Sequence, residues 1–490
     1  MIATPVFVVD DVTMIVMPQI QVRFEESVSV ATIEQVFMDL GLGAVIEAHW
    51  VRPNTFVVEA ASRSGIHVLN AANTLASRED VLWADVEWRF TGRTLLQTQV
   101  EYPPPAPPVT APTVRRAESP VALKGALCEP MPVDPPPDPL FQISWGLEQF
   151  NDIDVDARGA WEVCVGNSDI IVAVLDDGVQ LDHPDLPNLV PGADFSNDNA
   201  CDTEDCMGQP MNRCENHGTT VAGIIGSTFD IPPDPDTAEP VGGVGIAPGV
   251  SIMPIRVASF WSSGLSCVPQ LTQYQVGLGV AYAASNGARV TSLSWNFPFD
   301  TPVSTLAFIY EAAYEEGVTN FNSAGNDNRD NVYAPGNLPT VNSVSAINFL
   351  GTLFFVDSTF ASNYGANVSF TAPGQAVITT DRTGDDGYVD DSGPYGADFL
   401  GTTGTSYACP FVSGVAALVL SVKPSLGPGD VLFVLRKASM DLGVAGRDEN
   451  FGYGLPSSER AIQIALELVF QDGFETGDLS AWSGGLLEEK

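Results

Sequence analysis

The sequence predicts an α/β protein, a doubly wound and mostly parallel sheet with helices on both faces, preceded by a smaller α+β domain. Three observations carry this reading. Candidate strands at 169–175, 251–256, 289–293, 318–322 and 341–346 alternate with helical stretches, the order that a parallel sheet covered on both faces requires. Hydrophobic residues make up 44% of the 490 positions, ample for a large core and too many for wholesale disorder. A chain of that length exceeds one ordinary core, so two domains joined by linkers are expected.

The elements follow in order. Within residues 1–96, Gln19 to Phe24 alternates like a strand, and Val28 to Leu40 places Ile33, Val36, Phe37 and Leu40 on one helical face. Ala44 to Ala60 reads as two strands broken at Arg52-Pro53-Asn54. Gly65 to Ser77 is helical, with Val68, Leu69, Ala72 and Leu75 inward, and Val81 to Phe90 is a last strand. That is βαββαβ, the ferredoxin-like order. Residues 97–137 read as a linker, because Pro103-Pro104-Pro105-Ala106-Pro107-Pro108 and Pro135-Pro136-Pro137 favour extended polyproline II. Arg115-Arg116 inside it is a cleavage candidate, and 93–99 is the alternative. The main domain is expected over 138–468, and 469–490 forms a separate tail.

Charge narrows the partners. The chain has 61 acidic and 21 basic residues, for a net charge of −40, a field that repels nucleic acid and anionic membrane. No run reaches the ~18–20 apolar residues of a membrane span. Met1 to Ile20 lacks a positive segment and is interrupted by Asp10 and Asp11, so it does not read as a signal peptide. Of the seven cysteines, Cys409 lies in an apolar helix and reads as a buried free thiol. The other six allow up to three disulfides, which would imply an oxidising compartment, and Cys201 with Cys206 could close a small loop. The spacing of Cys201, Cys206, Cys214 and His217 also admits a Cys₃His zinc site, although His217 already has a setting of its own.

Three segments hold the parts of one reaction: Val174-Leu175-Asp176-Asp177-Gly178, Asn216-His217-Gly218-Thr219-Thr220, and Gly404-Thr405-Ser406-Tyr407-Ala408. A serine hydroxyl is a poor nucleophile near neutral pH unless a histidine takes its proton and a carboxylate holds that histidine in the right tautomer. Asp176 ends an apolar run that reads as a buried parallel strand, and the carboxyl end of such a strand is where chemistry collects. The order Asp, His, Ser differs from that of chymotrypsin-like enzymes and of α/β-hydrolases. These segments resemble the subtilisin-like serine proteases, the subtilases, and Ser323-Ala324-Gly325-Asn326 resembles the segment whose asparagine helps form their oxyanion hole.

The resemblance implies a subtilisin-like fold and a secreted or periplasmic endopeptidase made as a zymogen, acting as a monomer on protein or peptide substrates. Asp176, His217 and Ser406 would be catalytic, with Asn326 and the Ser406 N–H binding the oxyanion. Ser292-Leu293-Ser294-Trp295 matches the substrate-binding strand, which would take an extended peptide by β-augmentation. The N-terminal domain would be a propeptide, acting as folding chaperone and intramolecular inhibitor. Pro410 is expected in the first turn of the helix that Ser406 opens, where a missing N–H costs little. No cofactor is expected for catalysis. A structural calcium ion is allowed, with Asp138 and Asp185 as ligands on the convertase pattern. Asp176-Asp177-Gly178 and Asp182-His183-Pro184-Asp185-Leu186 also resemble kexin- and furin-like convertases, but the carboxylates of a basic S1 pocket are not reproduced after Trp295, where only Asp300 is near. The rival readings are a narrow-specificity processing protease, an exopeptidase, and a non-catalytic binding protein on the same scaffold.

Overall fold

The structure is a computed structural model. It describes residues 6–92 and 128–471, apart from breaks at 10–11, 26, 49–53, 61–64, 132–137, 197–206, 230–241, 264–265, 298–302, 390–392 and 394. The linker from 97 to 127 and the tail from 472 therefore lie outside the described residues.

The first unit runs β1 (Val6–Val9), β2 (Val12–Phe24), α1 (Val30–Asp39), β3 (Leu42–Ala48), β4 (Thr55–Ala60), α2 (Gly65–Ala76) and β5 (Val81–Gly92). Its strand order β3-β4-β2-β5 is that of a βαββαβ sheet, with β1 added as a hairpin on β2. The sequence reading began its first strand at Gln19. The strand starts earlier, at Val12, because the hairpin with β1 extends the ladder with β5. Ile20, Val22, Phe24, Ile33, Phe37, Val68 and Leu75 fill the core between sheet and helices. Phe24, Phe37 and Phe56 meet there edge-on, with ring centroids 5.7 to 6.4 Å apart.

The main unit continues with α3 (Ala157–Trp161), β6 (Ile171–Asp176), β7 (Ala193–Asp194), α4 (His217–Gly226), β8 (Ser251–Arg256), β9 (Ser259–Ser263) and β10 (Ser266–Thr272). Then come α5 (Gln273–Ser285), β11 (Ala288–Leu293), α6 (Ser304–Glu315), β12 (Thr319–Ser323) and β13 (Val341–Ile347). A short pair, β14 (Phe355–Asp357) and β15 (Phe360–Ala361), precedes β16 (Val368–Pro373) and the hairpin of β17 (Val377–Thr380) with β18 (Phe399–Thr402). The chain closes with α7 (Thr405–Val422), α8 (Pro428–Ala438), β19 (Ser439–Met440), β20 (Leu455–Pro456) and α9 (Ser458–Gln471).

The central sheet has the order β16-β13-β12-β11-β6-β8-β7, and every pair in it is parallel. Strands β6, β8, β11, β12 and β13 are buried at nearly every position because both faces are covered. One face carries α4 and α7, packed on Val172, Val174, Val290 and Phe321. The other carries α5 and α6, packed on Ala173, Leu175, Met253 and Ile255. Helix α7 is long and apolar enough to cross a membrane by composition alone, but from Thr405 to Ser421 every residue is buried in this core.

The two units share a sheet. Strand β10 pairs antiparallel with β5 through Leu271 with Phe90 and Thr272 with Arg89, so the β9–β10 hairpin continues the N-terminal sheet. The Arg23 guanidinium, from β2, stacks 4.6 Å over the ring of Phe308 on α6.

Two disulfides are described, Cys128–Cys164 and Cys214–Cys267. Cys201 and Cys206 lie outside the described residues. Because Cys214 is bonded to Cys267, the Cys₃His zinc set admitted by the spacing cannot form. Cys409 is a buried free thiol, as expected, and burial pushes it up to about 12, so it is inert as a nucleophile.

Trp161 anchors α3 against the core. Its ring meets Phe141 and Phe229 at 5.7 and 5.3 Å, and its indole N–H donates to the Ile246 carbonyl at 2.7 Å. Trp161→Ala should lose about 3–5 kcal/mol of stability. Urea unfolding would read this as a lower midpoint.

Candidate active site

Asp176 is the last residue of β6 and is fully buried. Its main-chain carbonyl accepts from Val257 N and Ala258 N just beyond β8, which fixes the turn that follows. His217 opens α4, and its Nδ1 lies 2.9 Å from Asp176 Oδ1 and 3.0 Å from Oδ2. A carboxylate facing Nδ1 holds the ring proton there and leaves Nε2 as the basic nitrogen. Burial pushes the imidazole down, but the charge of Asp176, the bond to it and the charge of Asp177 outweigh that, and the net direction is up.

The approach of α4 to the acid depends on Gly218. A Cβ there would lie 2.2 Å from the Gly178 carbonyl oxygen and 2.9 Å from Asp176 Cβ. Asp177 completes the joint: its carboxylate accepts from His217 N at 3.1 Å and from Gly218 N at 2.7 Å, capping the helix. Burial first, and the neighbouring Asp176 charge second, push its carboxyl well above the ordinary range. The sequence singled out Asp177 for its likeness to convertases. Here it lies beneath the histidine helix rather than in an open pocket.

Ser406 is the second residue of α7, after Gly404, whose φ of +152° an L side chain would rarely adopt. Pro410 is the sixth residue of that helix, so the first-turn expectation is corrected. Its missing N–H leaves the carbonyl four residues back, that of Ser406, without its helical partner. The Ser294 hydroxyl takes that place at 2.7 Å, and Ser406 Oγ in turn donates to the Ser294 carbonyl at 3.3 Å. Ser406 Oγ therefore rests on the chain just past β11.

Asn326 follows β12. Its Oδ1 accepts from Thr405 N at 2.8 Å and from Thr405 Oγ1 at 2.9 Å. A main-chain N–H can only donate, so these bonds fix the amide orientation and leave Nδ2 as a donor for a ligand. With the Ser406 N–H in the first turn of α7, that is the donor pair an oxyanion needs.

The expected substrate strand is narrowed. Ser292 and Leu293 are fully buried in β11 and pair with Val174 and Leu175 on one side and Phe321 and Asn322 on the other. They have no free edge for a substrate, whereas Ser294 and Trp295 lie past the strand's end. The indole N–H of Trp295 donates to Asp176 Oδ1 at 2.8 Å, a contact the motif reading did not anticipate. A second unanticipated feature is buried Arg256. Its guanidinium binds Glu215 Oε1 at 2.6 Å and Asp194 Oδ2 at 2.8 Å, tying β8 and β7 to the residues just before His217. An arginine at the end of an apolar strand was its only trace in the sequence.

Asp138 and Asp185 are buried and lie against one turn, where Leu140 N donates to Gly242 O and Gly243 N to Asp185 Oδ2. Two carboxylates from separate segments suit a hard cation. Among the described residues no cluster of three or more His, Cys, Asp or Glu forms.

The family model for the subtilase family (peptidase S8) matches residues 167–454. The chain belongs to that family. Fervidolysin of Fervidobacterium pennivorans is 32% identical over 332 residues, covering 66% of this subtilase and 44% of the relative. Halolysin of Haloferax mediterranei is 29% identical over 320 residues, covering 64% and 52%. A calcium-dependent protease of Trichormus variabilis is 30% identical over 378 residues, covering 68% and 51%. The chain thus spans about half the length of the curated relatives it matches. Among solved structures, that of fervidolysin superposes with a TM-score of 0.67 at 23% identity, over 91% of this chain and 61% of that one, which speaks for the fold. The subtilase fold read from the sequence is therefore the fold observed.

Two outcomes are expected. Asn326→Ala should lower kcat by roughly 10²–10³, the size of effect known for one such donor in subtilisin, with unchanged circular dichroism. With His217 raised above 6.5, kcat/KM should fall as pH drops through a value above 6.5, where the base becomes protonated.

Proposed function

We infer that this subtilase is a secreted serine endopeptidase made as a zymogen. The observation that carries the reading is the Asp176–His217 pair beside the N-terminus of α7, where Ser406 and the oriented Asn326 amide meet. Ser406 Oγ attacks the scissile carbonyl as His217 Nε2 takes its proton. Asn326 Nδ2 and the Ser406 N–H hold the oxyanion. His217 then gives the proton to the leaving amine, and water, activated by the same imidazole, releases the acyl group from Ser406.

Residues 1–96 act as the inhibitory propeptide, 97–137 as the linker cut during maturation, 138–468 as the catalytic domain and 469–490 as a tail. The β5–β10 pairing and the Arg23–Phe308 stack support a docked N-terminal unit. Export is supported by two disulfides and by relatives named extracellular proteases, from Natrialba magadii and Dichelobacter nodosus. Relatives named calcium-dependent proteases support a structural calcium held by Asp138 and Asp185, which would brace the turn at Gly242 and take no part in the chemistry.

Intact mass after refolding tests the reading. Wild type should lose its N-terminal unit by a cut between Gly92 and Cys128, while Ser406→Ala stays whole. Absence of fluorophosphonate labelling at Ser406 would favour a non-catalytic scaffold. Release of terminal fragments alone from a peptide library would mark an exopeptidase, and cleavage at a few sequences a processing protease. For calcium, chelation should lower the melting temperature of Ser406→Ala, and Asp185→Asn should abolish the difference.

A further inference from the structure

Asp176 Oδ1 accepts three donors: His217 Nδ1 at 2.9 Å, Asp177 N at 2.8 Å and Trp295 Nε1 at 2.8 Å. One belongs to the titrating ring and one to the main chain. The third is an uncharged side chain placed by contacts of its own. The Trp295 carbonyl accepts from Asn322 Nδ2 at 2.9 Å, which ties its main chain to β12. Its ring meets His217 at 5.8 Å with 67° between planes, and Phe260 at 5.9 Å with 61°. Phe260 N donates to Glu215 Oε1, two residues before His217, so the indole sits between two segments that are themselves joined.

An indole N–H can only donate, and a carboxylate acceptor makes its bond charge-assisted and roughly twice as strong as a neutral one. We propose that Trp295 is a positioning residue: its indole N–H pins the Asp176 carboxylate in the orientation that receives His217 Nδ1. This rests on the triad reading above. The ring is half-buried.

Removing the donor has two effects. The carboxylate gains rotational freedom, so the imidazole spends less time correctly held. Charge on Oδ1 is also less shared, so its potential at the imidazole deepens and protonated His217 is favoured. The other groups facing that ring stay in place: Asp176 and Asp177 at the end of β6, Tyr407 of α7 with its ring at 5.5 Å, and Glu215 acting through Asp177.

Trp295→Phe keeps an aromatic wall and deletes the donor. Benzothienylalanine at 295 keeps the whole bicyclic outline, with sulfur replacing the N–H, should phenylalanine disturb folding. Both should lower kcat and the rate of labelling by diisopropyl fluorophosphonate roughly 10- to 100-fold, and move the acid limb of kcat/KM to higher pH. A residue that only lines the cleft would change KM and leave labelling rate and limb unmoved, which overturns the proposal. The His217 titration, followed by NMR in Ser406→Ala with and without the change at 295, does not depend on turnover. A raised titration midpoint supports the role, and an unmoved one overturns it. If wild type itself is not labelled, the triad reading fails instead, and the NMR comparison still decides whether Trp295 governs the Asp176–His217 pair.

Discussion

The bond between Asp176 and His217 requires a strand end and a helix start to meet closer than most side chains allow, and much of the local sequence serves that approach. Gly218 removes the Cβ that would strike the Gly178 carbonyl. Asp177 satisfies the first amides of α4, which burial would otherwise leave without water or a helical acceptor. Pro410 withholds a donor from the Ser406 carbonyl so that Ser294 can bind it, and the hydroxyl returns the contact. Each of these residues would be unfavourable or idle in a generic helix or turn.

Burying that bond creates an electrostatic problem. Asp176 and Asp177, which bond His217, and Glu215, two residues before it, are all withdrawn from water. Hydrogen-bond donors offset this. Main-chain amides serve Asp177, amides with an indole serve Asp176, and Arg256 serves Glu215 and Asp194. A buried carboxylate left without such partners would take up a proton instead. The Cys214–Cys267 bond adds a covalent tie between the approach to His217 and strand β10.

That same strand carries the contact with the N-terminal unit. Its pairing with β5 makes one sheet out of two units, through main-chain hydrogen bonds that need no side-chain match. Residues holding the histidine loop and residues docking the N-terminal sheet therefore belong to one hairpin.

The sequence by itself determined the fold class, the strands β6, β8, β11, β12 and β13 to within a residue or two, and the small βαββαβ unit. Apolar runs and helical periodicity are local properties that burial on two faces writes directly into the chain. The Asp176, His217, Ser406 and Asn326 settings were legible for a related reason: each needs small or turn-forming neighbours at fixed offsets. Only the tertiary structure decided what long-range packing controls. It closed both edges of β11 and so withdrew Ser292 and Leu293 from the cleft, paired Cys214 with Cys267 against a zinc site, and brought Trp295 onto Asp176 across 119 positions of chain. Those contacts join residues far apart in sequence, and no local pattern specifies which distant partner a side chain will meet.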